Sequence, residues 1–348
     1  MTLEPSPEPR SFLDGPRRLI AILIEGYATL NRRLWVLVVP IGLDLFLWLG
    51  PRLIVRQFAA AILGILSSEQ GMNPSLGALW GAQFDPALLS RWGEQTNLFQ
   101  LLAAPLLPVP LPGFSIPLIS TLLPNLSNPA WPGFTPQAWD PPAGLVAGPL
   151  PLAILAVGLL LGAFYQLPLA DCVRGSNESG VRMLRRVPRA WWRMLALTAM
   201  GLLAGGAFLV LSALFTGVAT VIHPSLGGLV VYVVLALILF ALLFLYFTPQ
   251  ALLLSWVPPL RAVHYSVQVV RHSFWSSVGF VLLVWLVRAG TGSLWQYLSA
   301  HPLGMLASIM ANAYITTGLA AASLIFYRER LRDWLAAEES GQKRGRVL

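Results

Sequence analysis

Apolar residues fall into six long blocks, roughly 34–50, 144–168, 193–222, 229–254, 276–291 and 304–326, separated by polar or basic stretches. A hydrocarbon core about 30 Å thick takes about 20 apolar residues in helical form. Four blocks reach that length alone, and the first and fifth extend into neighbouring helix-forming residues. None alternates with the period of two of barrel strands, and a backbone in lipid must satisfy its hydrogen bonds internally. The pattern predicts an all-α, polytopic integral membrane protein with six transmembrane helices.

A shorter amphipathic stretch precedes each odd-numbered block. Ile20, Leu23, Tyr27, Leu30 and Leu34 keep a 3-4 spacing before Trp35, and 240 residues later Leu260, Val263, Val267, Val270 and Phe274 repeat it before Trp275. The middle copy keeps Leu184, Val187 and Trp191, followed by Trp192. That spacing gathers the apolar residues on one helix face. The opposite faces carry Arg17, Arg18, Glu25 and Arg32, then Arg182, Arg185, Arg186 and Arg189, then Arg261, Gln268 and Arg271. Three interfacial helices are therefore expected along the cytoplasmic surface, with arginines among anionic headgroups and Trp35, Trp192 and Trp275 as anchors.

A second repeat closes the even blocks. "FYQLPLADC" and "LYFTPQALL" align Tyr165 and Pro168 with Tyr246 and Pro249 at a constant shift of 81 residues, and proline there kinks or ends a helix. Together the two patterns predict three parallel helix pairs related by an axis near the membrane normal.

Charge then orients the chain. Arginine and lysine number nineteen on the side holding both termini and four on the other, and the positive-inside rule makes the richer side cytoplasmic. Composition agrees with a plasma-membrane protein: 56% hydrophobic, 11% charged, mean hydropathy +0.68, against about 25% charged in soluble domains. The net charge of +8 reads as topology and headgroup attraction, so no nucleic-acid partner is expected. With Cys172 alone, no intramolecular disulfide forms.

The predicted organisation is a disordered tail over 1–15, one six-helix membrane domain over 16–335 and a basic tail over 336–348. Residues 67–142 form an extracytoplasmic insert holding 13 of the 28 prolines, yet rich in Leu, Phe and Trp. Three readings stay open for it: a lid on the bundle mouth, a binding surface, or a flexible loop. Residues 85–104 are expected to include an interfacial helix with Asp85 as cap and Pro86 in its first turn.

Candidate chemistry is sparse. Asp44 lies nine residues past Trp35, about 14 Å into the bilayer, where a charge must be neutralised, paired or wet. Arg288 is a candidate partner reaching back to it; alternatively Arg288 extends to the outer headgroups and a neutral Asp44 bonds to Asn312, or Asp44 serves a proton or solute relay. Gly304, Ser308, Asn312, Thr316 and Ala320 recur every four residues as a small, polar stripe that reads as a packing seam or, alternatively, as a solute path along Asn312 and Thr316, and "GLLLG" (158–162), "GLVAG" (144–148) and "GLLAG" (201–205) offer further packing seams. The four histidines have no metal-site spacing, and no triad, acid pair or phosphate loop gathers anywhere. No enzyme activity, metal or cofactor is expected.

The six-span layout, its basic lead-in helices and "AYITTGLAAASLIFYRERL" at the end of the last block resemble the membrane domain attached to some bacterial glycerophosphodiester phosphodiesterases and related six-span families. The catalytic barrel of those enzymes is absent, so the resemblance implies a membrane fold and no activity. The expected role is organising a membrane-protein partner or anionic lipid at the inner membrane face. Transport of a small solute or lipid using Asp44 is the alternative.

Overall fold

The computed structural model describes residues 14–72, 86–103, 118–122, 137–175 and 180–345. The chain runs α1 (Asp14–Asn31), a 3-10 turn (Leu34–Leu37), α2 (Val38–Leu49), β1 (Arg52–Leu53), α3 (Arg56–Met72), α4 (Pro86–Gln95), a second 3-10 segment (Leu98–Ala103), β2 (Ala138–Trp139) and α5 (Ala143–Ala147). It continues through α6 (Pro149–Arg174), α7 (Gly180–Ile222), α8 (Pro224–Leu245), α9 (Thr248–Ser255), α10 (Pro259–His272), α11 (Phe274–Leu298) and α12 (Pro302–Gly345). The only strands among the described residues are β1 and β2, two residues each, paired in parallel.

Five stretches in these helices are long and apolar enough to cross a membrane: Pro149–Arg174, Arg182–Ile222, Pro224–Ser255, Phe274–Leu298 and Pro302–Glu339. The set is compatible with a multi-pass membrane protein. The first apolar block is the one that falls short. A turn at Arg32 and Arg33 separates it from α1, and its helical part, Leu34–Leu49, is about 24 Å long at 1.5 Å per residue. Within 85–104, where an interfacial helix is expected, α4 runs from Pro86 to Gln95 and gives way to the 3-10 segment, while Asp85 lies outside the described residues. At the other terminus, α12 continues helically into the expected tail, to Gly345. The expected N-terminal tail falls almost wholly outside the described residues.

Helix α12 is the axis of the bundle, packing against α1, α2, α6, α9, α10 and α11. Its closest seam is with α1. A Cβ on Gly26 would stand 2.8 Å from Ala322 Cβ, Ala322 N and Gly318 O, so only glycine permits this crossing. Tyr27 donates its hydroxyl to Ile315 O at 3.3 Å, and Tyr314 donates to Asn31 Oδ1 at 3.1 Å. The buried stripe of α1 is Ile22, Gly26 and Leu30; that of α10 is Ala262, Ser266, Val269 and Val270. Three of these pairs, Ile22 with Ala262, Gly26 with Ser266 and Leu30 with Val270, are 240 residues apart. Deeper in the bundle, Phe326 stacks on Phe280 at 4.5 Å and on Phe247 at 5.3 Å, tying α12 to α11 and to the α8–α9 junction.

The proline-rich insert enters the bundle. Residues 98–103 pack on α6, where a Cβ on Gly158 would stand 2.7 Å from Leu101 O and 2.8 Å from Leu102 O. Residues 118–122 follow the same wall: Gly162 faces the Leu118 side chain, and Leu118, Ile119 and Leu122 are buried. The seam expected from "GLLLG" thus receives the 3-10 segment and the irregular stretch 118–122 rather than an α-helix. Gly144 and Gly205 of the other two motifs face open space. Residues 73–85, 104–117 and 123–136 of the insert lie outside the described residues.

Its base is held by polar capping. Asn97 Oδ1 accepts from Leu53 N and Phe99 N, both at 3.1 Å, and Asp140 Oδ1 accepts from Gln57 N at 3.2 Å at the start of α3. Arg56 Nε donates to Asp140 Oδ2 at 3.2 Å. Replacing Asp140 by alanine removes this cap and is expected to destabilise the insert by about 1 kcal/mol. Faster hydrogen exchange at Gln57, with the bundle unaffected, is the measurement that checks it.

Candidate functional site

Guanidinium groups concentrate at one end of the bundle, where α6 ends, α7 begins and α9 turns into α10. Arg174, the last residue of α6, donates to Asp171 Oδ1 at 2.7 Å, and Arg186 of α7 stands 3.8 Å from the same oxygen. Arg174, Arg186 and Arg193 place their guanidinium carbons 5.3, 5.7 and 5.6 Å from the ring centroid of Trp256. Stacking of this kind uses the negative face of the indole and leaves the guanidinium edges available for acceptors.

Trp256 is held unusually. Its φ of 51° lies in the left-handed region, which costs a bulky residue on the order of 1 kcal/mol or more. The chain must turn there, between α9 and the Pro258–Pro259 start of α10, and Arg193 Nη1 donates to Trp256 O at 2.7 Å to hold the turn. Arg174 also donates to Leu253 O, and Arg328 of α12 donates to Val173 O while pairing with Glu25 at 3.5 Å. Arg193 has no carboxylate partner among the described residues. The arrangement offers charge-assisted donors to an anion.

The remaining basic candidates surround this cluster. Arg32, Arg182, Arg185, Arg189, Arg261 and Arg271 are exposed, as are Trp35, Trp192 and Trp275. For Arg17 and Arg18, the helix is described but the side chains are not. His264, His272 and His301 are exposed, and His223 caps α8 by accepting from Ser225 N at 3.2 Å. No cluster of potential metal ligands occurs among the described residues.

The intramembrane candidates separate. Asp44, fully buried on α2, accepts the backbone N–H of Leu122 at 2.9 Å. Gln166 of α6 donates Nε2 to Leu118 O at 2.8 Å. Two side chains from opposite walls thus satisfy a segment of insert backbone that has no helix or sheet of its own. Gln166 escaped the sequence reading because a lone glutamine in an apolar run carries no periodic signal.

Arg288 lies elsewhere. Its electrostatic neighbours are Tyr246 and Tyr165, with neither Asp44 nor Asp171 among them. Tyr165 donates to Thr317 Oγ1 at 2.9 Å, and Tyr246 lies beside Ser323. In the small polar stripe, Thr316 donates to Asn312 O at 2.7 Å, while Ser308 Oγ and Asn312 Nδ2 are buried without a hydrogen-bond partner among the described residues.

One regularity was available in the sequence and was missed. Tyr327 follows Tyr246 by the same 81 residues that separate Tyr246 from Tyr165. Each of the three phenols meets a hydroxyl on a neighbouring helix: Tyr165 with Thr317, Tyr246 with Ser323, and Tyr327 with Ser255 at 3.4 Å.

Compared with known protein families, curated proteins and solved structures, the chain matches none.

Proposed function

We propose that this chain is a non-catalytic, multi-pass protein of the plasma membrane whose basic end organises anionic lipid at the cytoplasmic face. Six spans in three parallel pairs, both termini inside, and amphipathic helices leading into the odd spans make up the proposed topology. The nineteen-to-four basic asymmetry supports the orientation, and the 240-residue and 81-residue registers support the repeat. The likeness to phosphodiesterase-attached membrane domains adds a fold and no activity.

The observation that carries the reading is the convergence of Arg174, Arg186 and Arg193 on Trp256, beside the exposed Arg182, Arg185 and Arg189. Each arginine near an anionic surface contributes about 1 kcal/mol, so the group together is a strong anchor for phospholipid anions. Transport through Asp44 has less support: that carboxylate is buried and engaged with the Leu122 amide.

Reversing charge at Arg182, Arg185, Arg186 and Arg189 to glutamate is the test. In nanodiscs containing phosphatidylglycerol, the variant should retain fewer anionic lipids by native mass spectrometry, and the wild-type excess should shrink as salt rises. Equal retention by both proteins would overturn the lipid reading. A co-purifying protein lost only from the variant would assign the basic end to a protein partner instead.

A further inference from the structure

The inward face of α11 is traced by Ser277, Phe280, Val284 and Trp295, all buried. Arg288 falls on that same stripe, four residues after Val284 and seven before Trp295, yet its side chain is exposed. The inward stripe of α11 is therefore accessible at this level, between the buried positions Val284 and Trp295.

Helix packing explains the opening. Among the described elements α8 packs substantially only on α7 and α10, and α11 only on α10 and α12. Among the described residues the helices thus form a horseshoe, α8–α7–α6–α12–α11, with a gap between its two ends. The stack of Phe247, Phe280 and Phe326 floors the gap on the side of the basic end. The most apolar part of α8 has no buried residue, as befits a helix facing hydrocarbon.

Charge inside the gap is unbalanced. Arg288 is ten residues, about 15 Å, from the end of α11, and helical side chains lean toward the N-terminus, here toward the aromatic floor. The titratable groups that act on it are the phenols of Tyr165 and Tyr246, and among the described residues its guanidinium has no carboxylate partner. A guanidinium at that depth calls for an anion, and a slot open sideways to lipid admits one carried on acyl chains.

We propose that the gap between α8 and α11 admits an anionic phospholipid whose phosphate pairs with Arg288. This site is separate from the basic end and stands or falls without it.

The test compares full-length wild type with Arg288→Gln and Arg288→Lys in phosphatidylcholine nanodiscs doped with phosphatidylglycerol. Native mass spectrometry should show one slowly exchanging anionic lipid in wild type, held roughly tenfold less in R288Q and partly recovered in R288K. The charge-reversal variant of the basic end should keep this lipid, which separates the two readings. Glycerol phosphate, lacking acyl chains, should not raise the thermal midpoint of wild type in zwitterionic detergent, whereas phosphatidylglycerol should. Equal retention in R288Q, or equal protection by glycerol phosphate, overturns the proposal. Should R288Q fail to fold, a photoreactive phosphatidylglycerol applied to wild type decides the matter. Crosslinks within 224–245 and 274–298 support the site, and crosslinks confined to other helices overturn it.

Discussion

Replacing Gly26 by valine is expected to separate α1 from α12 and to lower the thermal midpoint of the purified protein by several degrees, a loss of about 3 kcal/mol. Even the first added carbon would stand 2.8 Å from Gly318 O and from Ala322 N, and neither can retreat without bending α12 itself. The reverse change is gentler. A Cβ on Gly318 would meet the Tyr27 ring at 2.2 Å, but a ring at the end of a side chain can swing aside at the expense of its bond to Ile315 O and its contact with Tyr314. Gly26→Val should therefore cost more than Gly318→Ala, and should also open the Arg32–Arg33 turn to trypsin. Equal melting of Gly26→Val and wild type would show that α1 does not depend on this seam.

The helices of this protein were readable because lipid-length apolar blocks leave few alternatives. The exact contact faces were displaced: periodicity picked Ile20 and Leu260, which are exposed, while packing chose Ile22 and Ala262. Leu-rich and Ile-rich faces in lipid look alike whether they meet hydrocarbon or protein, and hydrophobicity alone cannot rank them. The insert was the hard case. Nothing local announced that 98–103 and 118–122 run along α6. The turn at Trp256 was equally silent, since its left-handed backbone follows from where α9 and α10 must sit.

Alanine at position 44 is expected to release the insert from the bundle. Leu122 N–H would lose its acceptor in a buried site, a loss of about 1–3 kcal/mol and more when the acceptor is charged. Asparagine keeps an oxygen within reach of that amide, so Asp44→Asn should lose less stability than Asp44→Ala. A relay function predicts no such ranking, with asparagine as damaging to activity as alanine because neither carries a proton at the required pKa. Gln166→Leu should weaken the same segment from the other wall by removing the donor to Leu118 O. Because both side chains hold one short stretch of backbone, the double replacement should cost less than the sum of the two single losses. Hydrogen exchange over 118–122, read together with the thermal midpoint, separates these cases. Protection at the Leu122 amide that survives Asp44→Ala unchanged would remove the carboxylate from its structural role and return it to the list of groups that need a ligand or a proton to explain them.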